Sequence, residues 1–244
     1  MDAISTLAAS GMQARMQSLE MLANNLANVE TGGFKADREF YSVYISADGS
    51  ADPLTGNTSA QPVIESHWTD LAQGVLRNTT NPLDLAIQGD GMFAIDTAAG
   101  TRYTRNGSFR VSRTGALTTM DGNAVRASGG GGITIPTGAP VEIQADGTVL
   151  QSGQTLGQIE TASFDREGID KIGASYFAPF AGVRAKPMTG TVLQGKLEQS
   201  NVGTAESAVR LVAIMRQFEM LQKAMNIGND LNKHAIEEVA RVAT

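Results

Sequence analysis

Apolar residues at both ends of the chain recur at alternating steps of three and four, the spacing of one helix face. The N-terminal row runs over about thirty residues and stops at Gly32-Gly33, and the C-terminal row runs over about forty. The first row is Ala9, Met12, Met16, Leu19, Ala23 and Leu26. The second is Leu211, Ile214, Phe218, Leu221, Met225, Gly228, Asn232, Ala235 and Val239. Two long helices with coiled-coil-type seams are therefore predicted.

The segment between the helices has a different pattern, with short runs of β-forming residues separated by turn dipeptides. The runs start at Met92, Ser108, Ile133, Val141 and Thr148. The turns are Asp90-Gly91, Asn106-Gly107, Asp121-Gly122 and Asp146-Gly147. We expect an α+β fold in which long N- and C-terminal helices pair in a coiled-coil-like manner and flank a central antiparallel β-rich domain. The predicted domains are 1–33 with 203–244 (helical), 34–74 with 186–202 (connecting) and 75–185 (β).

Charge is scarce: 18% of the 244 residues are charged, against about 25% in an average domain. Between Ala3 and Val29 the charged residues are Arg15 and Glu20, and the polar positions are otherwise mostly uncharged. A helix that faces water normally carries charges opposite its apolar face, so contact on several sides is indicated for this one. The net charge of −6 argues against a nucleic-acid partner.

Candidate catalytic and ligand-binding motifs lack the context that their chemistry needs. The Gly-x-Gly at Gly89-Asp90-Gly91 precedes a strand, and no lysine follows the run 129–132 as it would in a phosphate loop. The chain has no cysteine, and its two histidines, His67 and His234, are far apart. We expect no metal, no cofactor and no enzymatic activity. Neither a membrane span nor a cleaved signal peptide is predicted.

Two seams of this length exceed what one helix pair can bury, so other copies of the chain are the expected partners. Asn24, Asn25 and Asn28 are candidates to bridge subunits, with a satisfied polar helix end as the alternative. Phe34 is expected to anchor the turn out of the helix or simply to pack in a core. Asn232 either sets the register of the second seam or marks a loosened helix. The complete predicted assembly interface is Met12, Met16, Leu19, Asn24, Asn25, Leu26, Asn28, Phe34, Leu211, Ile214, Phe218, Leu221, Met225 and Asn232.

Several motifs resemble those of one family. Residues 23–35, Ala-Asn-Asn-Leu-Ala-Asn-Val-Glu-Thr-Gly-Gly-Phe-Lys, resemble the N-terminal signature of bacterial flagellar basal-body rod and hook proteins. Residues 83–93 and 103–109 resemble the central β-domain motifs of that family, and 195–202 and 216–219 its C-terminal motifs. Met215 departs from the pattern, since the family often has glutamine before the arginine.

The resemblance implies a structural subunit of the rod that polymerises helically through its terminal helices, transmits torque and lines the export channel. It implies a basal-body location in the periplasm, export through the flagellar type III apparatus without a cleaved signal, and neighbouring rod subunits as partners. Length and the sequence Arg-Gln-Phe-Glu-Met at 216–220 are most similar to proximal rod members. Distal rod or hook-type members are the alternative within the family. Outside it, the alternatives are a periplasmic cell-wall hydrolase with a pair of carboxylates, and an adaptor or adhesin.

Overall fold

The computed structural model of the chain describes residues 3–45, 60–136 and 138–242. The chain forms two compact units. Unit 1 comprises Met1–Leu26, Asp37–Trp68 and Gly203–Thr244, and unit 2 comprises Ala27–Ala36 and Thr69–Val202. The chain therefore passes between the units at four points, after Leu26, Ala36, Trp68 and Val202.

Unit 1 contains two long helices and a pair of strands. Its elements are α1 (Ala3–Ala27), β1 (Asp37–Ile45), β2 (Ala60–Thr69) and α2 (Thr204–Val242), and β1 pairs with β2. Glu206 lies in the first turn of α2, where the helix dipole favours an anion. In the described ranges, neither helix combines the length and apolar character that crossing a membrane requires.

The expected fold class is wrong in its helical part. The long helices and the antiparallel β-rich middle are present, but the helices do not form a coiled-coil-like pair on their own, because the β1–β2 strands belong to the same unit. The predicted seam of α1 also faces outward. Met16, Leu19 and Leu26 are 54%, 36% and 38% exposed. The buried positions lie one or two residues earlier and are mostly small, which permits closer packing than large interlocking side chains would. They are Ala8, Gly11, Ala14, Ser18, Leu22 and Asn25.

Unit 2 is built from short strands, and every pairing described in it is antiparallel. A three-residue 3-10 turn, Arg166–Gly168, interrupts them. The first strands are β3 (Leu76–Asn78), β4 (Leu85–Gln88), β5 (Met92–Thr97), β6 (Gly100–Thr104), β7 (Phe109–Val111), β8 (Leu117–Thr119), β9 (Ala124–Val125) and β10 (Val141–Ile143). The remaining strands are β11 (Thr148–Gln151), β12 (Gln154–Gln158), β13 (Thr161–Ala162), β14 (Ile169–Ile172), β15 (Tyr176–Pro179), β16 (Thr191–Gln194) and β17 (Lys196–Glu198).

An eight-stranded sheet forms the centre of unit 2, in the order β14-β15-β6-β5-β9-β8-β7, with β13 also paired to β5. A three-stranded sheet β10-β11-β12 and the pairs β16-β4 and β17-β3 complete the unit. The turns Asp121-Gly122 and Asp146-Gly147 join adjacent paired strands, as predicted. Asp90-Gly91 and Asn106-Gly107 connect strands that are not paired with each other, and the predicted run at Ile133 makes only isolated bridges.

Strand β5 carries the core of unit 2 on both of its faces. Phe93 and Ile95 belong to the larger apolar cluster, whereas Met92 and Ala94 belong to a second cluster. This division follows from the alternation of side chains along a strand. Phe93 and Phe109 meet edge to face, with ring centroids 5.3 Å apart. The central sheet is therefore covered on two sides without help from another chain.

Candidate assembly surfaces

Helix α2 buries one face within unit 1. Its row Leu211, Phe218, Leu221 and Met225 is half-buried, and Ile214 is only 4% exposed. Gly11 of α1 faces this row: a Cβ atom placed on it would lie 3.3 Å from Leu221 Cδ1. A side chain at position 11 would press on Leu221, which would have to move by a few tenths of an ångström. Met12 beside it is half-buried.

The opposite side of α2 also carries exposed apolar residues, which alternate with charged residues such as Arg216, Glu219 and Lys223. Its exposed apolar residues project about 120–160° away from Ile214, at 100° per residue. We call them the outer stripe: Val209, Val212, Met220 and Ile227. Ile227 is 60% exposed. A helix at the surface of a monomer normally has one apolar face. The outer stripe adds exposed large apolar side chains on a different side, which makes it a candidate assembly surface.

The strands of unit 1 are tied to both helices by polar contacts. Arg210 of α2 forms an ion pair with Glu39 of β1. The Asn25 side chain of α1 accepts a hydrogen bond from the Asp37 backbone N–H at 2.9 Å and donates one to the Asp37 carbonyl at 2.8 Å. Asn25 is thus satisfied within its own chain, by a contact that periodicity cannot indicate.

The other predicted interface residues have varied surroundings. Asn24 lies on the exposed side of α1, and Asn28 accepts a hydrogen bond from the Thr31 hydroxyl at 3.2 Å. Phe34 is fully buried in unit 2, where Lys171 Nζ lies 3.8 Å from its ring centroid. Asn232 belongs to α2, but its side chain lies outside the described residues. No contact with a second chain tests these assignments, so the interface stays a prediction.

Sequence reasoning missed a buried group of charges in unit 2, here called the ion cluster: Lys35, Arg105 and Glu198. Lys35 Nζ lies 2.5 Å from Glu198 Oε1, and Arg105 Nη1 lies 3.2 Å from Glu198 Oε2. The side chains of Lys35 and Glu198 are completely buried. Burial lowers the pKa of Lys35, and the attraction of Glu198 opposes that shift.

Each member of the ion cluster lies in one of the segments that carry the family resemblance. Lys35 ends the N-terminal motif, Arg105 lies in the 103–109 motif and Glu198 in the 195–202 motif. Gly33 makes the approach possible: its φ is +67°, and a Cβ atom on it would lie 2.4 Å from the Arg105 backbone. The available signal was one charged residue of the cluster in each of three resemblance motifs.

A cleft of about 280 Å³ in unit 2 bears on the hydrolase alternative. Hydroxyl and amide side chains dominate its lining, and Asp121 is the one acidic residue among the described residues that line it. Tyr176 donates a hydrogen bond to Asp121 Oδ2 at 2.7 Å, and burial raises the pKa of the Tyr176 phenol. The cleft therefore lacks the second carboxylate that glycoside hydrolysis requires.

Comparison with known proteins gives matches along most of the chain. Residues 7–35 match the family model described as "Flagella basal body rod protein". Residues 86–151 match "Flagellar hook protein FlgE/F/G D1 domain", and residues 193–238 match "Flagellar basal body rod FlgEFG protein C-terminal". Flagellar basal-body rod protein FlgG of Bacillus subtilis is 34% identical, over 91% of this chain and 93% of its own length. The proteins named FlgF of Mesorhizobium japonicum and Caulobacter vibrioides are 33% and 32% identical, over 87% and 93% of this chain and 88% and 93% of their own lengths.

Proposed function

Because the chain belongs to the family of bacterial flagellar basal-body rod and hook proteins, we propose that it polymerises into the rod through the helices of unit 1. The relatives that carry the rod name match nearly from end to end, and the chain is a structural subunit of the flagellar basal body. The family is structural and not enzymatic, and no relative supports the hydrolase alternative.

The observation that supports the proposed mode of assembly is the outer stripe, four exposed large apolar residues on the side of α2 away from Ile214. The Ile214 face is used within unit 1, so the outer stripe is left for a neighbouring subunit. The exposed Met16, Leu19 and Leu26 of α1 supply a further apolar surface. A polymer needs two different surfaces on each subunit, because head-to-tail contacts that do not close generate a helical filament.

The finer features of the role are part of the same proposal. The chain would transmit torque along the rod and line the export channel, with other copies and adjacent rod subunits as neighbours. It would reach the periplasm through the flagellar type III apparatus without a cleaved signal. Relatives named FlgG and FlgF are similar to nearly the same degree, so the proximal position rests on the length of the chain and the sequence at 216–220.

The experiment compares charged substitutions on two exposed apolar residues, Ile227→Asp on the outer stripe and Val75→Asp in unit 2. Both side chains are more than half exposed, so neither change should alter the folding of the chain. We expect Ile227→Asp to abolish swimming and the recovery of rods from a complemented deletion strain, while Val75→Asp leaves both intact. Normal rods with Ile227→Asp would contradict assembly through the outer stripe. Normal swimming of the deletion strain itself would contradict the rod role and favour the adaptor alternative.

A further inference from the structure

The ion cluster joins segments that are far apart in the sequence. The Glu198 carboxylate contacts both cations, one on each oxygen, and Lys35 and Glu198 are 163 residues apart. Lys35 Nζ also donates to the Ala72 carbonyl at 2.7 Å, and the Gly74 N–H donates to Glu198 Oε1 at 2.9 Å. Arg105 donates to the carbonyls of residues 87 and 89. Five segments of unit 2 are thus held by one carboxylate and its two partners.

Asn201 holds together the points where the chain leaves unit 2. Its Oδ1 accepts the Ala36 N–H at 2.7 Å, and its Nδ2 donates to the carbonyls of Asp70 and Ala72 at 2.7 and 3.1 Å. The Asp70 N–H donates to the Ala36 carbonyl at 2.8 Å. The chain crosses out of unit 2 after Ala36, back before Asp70 and out again after Val202. Hydrogen bonds therefore join three of the four crossing points, through residues that lie within two positions of the boundary between the units.

The contacts of the ion cluster depend on one another, so we do not expect them to break one at a time. The side chains of Lys35 and Glu198 are shielded from water, so separating Lys35 from Glu198 leaves a buried charge without its counter-charge. Two cations share one carboxylate, so loss of that carboxylate leaves both uncompensated. We therefore expect the cluster to open as a unit, which would release its five segments together.

We propose that the ion cluster and Asn201, together called the boundary lock, stop local unfolding of unit 1 from spreading into unit 2. Proteins open in cooperative units of different stability, and a buried charge network that fails as a whole forms the edge of such a unit. With the lock closed, unit 2 keeps its first and last segments joined even when α1, α2 and the β1–β2 strands are unfolded. The lock acts within a single chain, so it does not require the rod to form.

Amide hydrogen exchange on the free full-length chain in dilute solution tests this proposal. We expect residues 33–36, 70–75 and 198–201 to exchange as slowly as strands β4 and β5, and at least about tenfold more slowly than α1 and α2. In Glu198→Gln the three lock segments should exchange at least about tenfold faster, while β5 and β6 stay protected. The control is Lys186→Met, which removes an exposed ion pair with Asp165 of the same unit and should change none of these rates.

Asn201→Ala keeps the experiment decisive if Glu198→Gln does not fold, because it removes hydrogen bonds without burying an unpaired charge. It should raise exchange at residues 36, 70 and 72 in the same direction. The proposal would be overturned if the lock segments of the unaltered chain exchanged as fast as α1 and α2. It would also be overturned if the amides of both units exchanged at a single common rate. Rod assembly by Ile227→Asp and exchange in the free chain are separate readouts, so either proposal can fail alone.

Discussion

The Asn25 side chain pairs with the backbone of Asp37 as a neighbouring strand would, accepting its N–H at 2.9 Å and donating to its carbonyl at 2.8 Å. The amide joins the end of α1 to the first residue of β1 and is almost fully buried. Both hydrogen-bonding partners come from the same chain. This contact explains the choice of an uncharged amide at position 25 without a second subunit.

Replacing Asn25 by aspartate should destabilise the free chain. A carboxylate still accepts the Asp37 N–H but cannot donate to the Asp37 carbonyl, which is left without its partner next to a new negative charge. We expect a loss of about 1–3 kcal/mol in the free energy of unfolding, measured by urea denaturation. The control Gln17→Ala alters an exposed amide of the same helix and should change stability by less than about 0.5 kcal/mol. Equal effects of the two substitutions would contradict the role of Asn25.

Gly107 should tolerate no side chain. A Cβ atom on it would lie 1.8 Å from the Leu85 carbonyl oxygen, a backbone atom that cannot move aside without disturbing the core of unit 2. We expect Gly107→Ala to cost more than about 2 kcal/mol or to prevent folding. A Cβ atom on Gly129 would meet nothing within 4 Å, so Gly129→Ala should be nearly neutral. Thermal denaturation of both variants measures the difference, and similar melting temperatures would refute the close approach.

The two ends of the Lys35–Glu198 contact should differ in their sensitivity to substitution. Glu198→Gln leaves Lys35 and Arg105 buried without a counter-charge, and we expect a loss of about 3–5 kcal/mol. Lys35→Met leaves the Arg105–Glu198 pair with balanced charge and should cost clearly less. Adding Lys35→Met to Glu198→Gln should recover part of the loss, because it removes one of the two unpaired cations. Strictly additive losses in urea denaturation would mean that the residues do not interact.

Titration of Lys35 gives the ion cluster a predictable pH dependence. Burial lowers its pKa below 10.5 in the folded chain, against the opposing attraction of Glu198, so the unfolded chain binds the proton more tightly. Between the lowered pKa and 10.5 the unfolded chain therefore carries more protons, and stability rises with pH. Two further charges act on the pKa of Lys35: Arg105 lowers it and Asp70 raises it.

The measurement is the difference in free energy of unfolding between the unaltered chain and Lys35→Met. The free energy of unfolding of the unaltered chain should increase relative to that of Lys35→Met as the pH is raised toward 10.5. Lys186→Met removes an exposed lysine of the same unit and serves as the matched control. A difference that is flat or falls with pH would show that burial does not dominate the titration of Lys35.

Local patterns predicted the elements whose information lies within a few residues. The three-four row of α2 coincides with its less exposed face from Leu211 to Met225, because residues three and four apart lie on one side of a helix. The same rule failed for α1, where counting large apolar residues selected Met16 and Leu19 while the chain buries Gly11 and Ala14. Small residues leave a weak hydrophobic signal but allow the closest helix contact.

By itself, the sequence determined the two helices, the antiparallel β-rich middle, the hairpin turns at Asp121-Gly122 and Asp146-Gly147, and the family, since each depends on a local pattern or motif. Only the tertiary structure decided which face of α1 is buried, that β1 and β2 belong with the helices, and that Lys35 meets Glu198 across 163 residues. The reason is physical. A charge can be buried only where the fold brings a partner to it, and the spacing of residues along a chain does not reveal that partner.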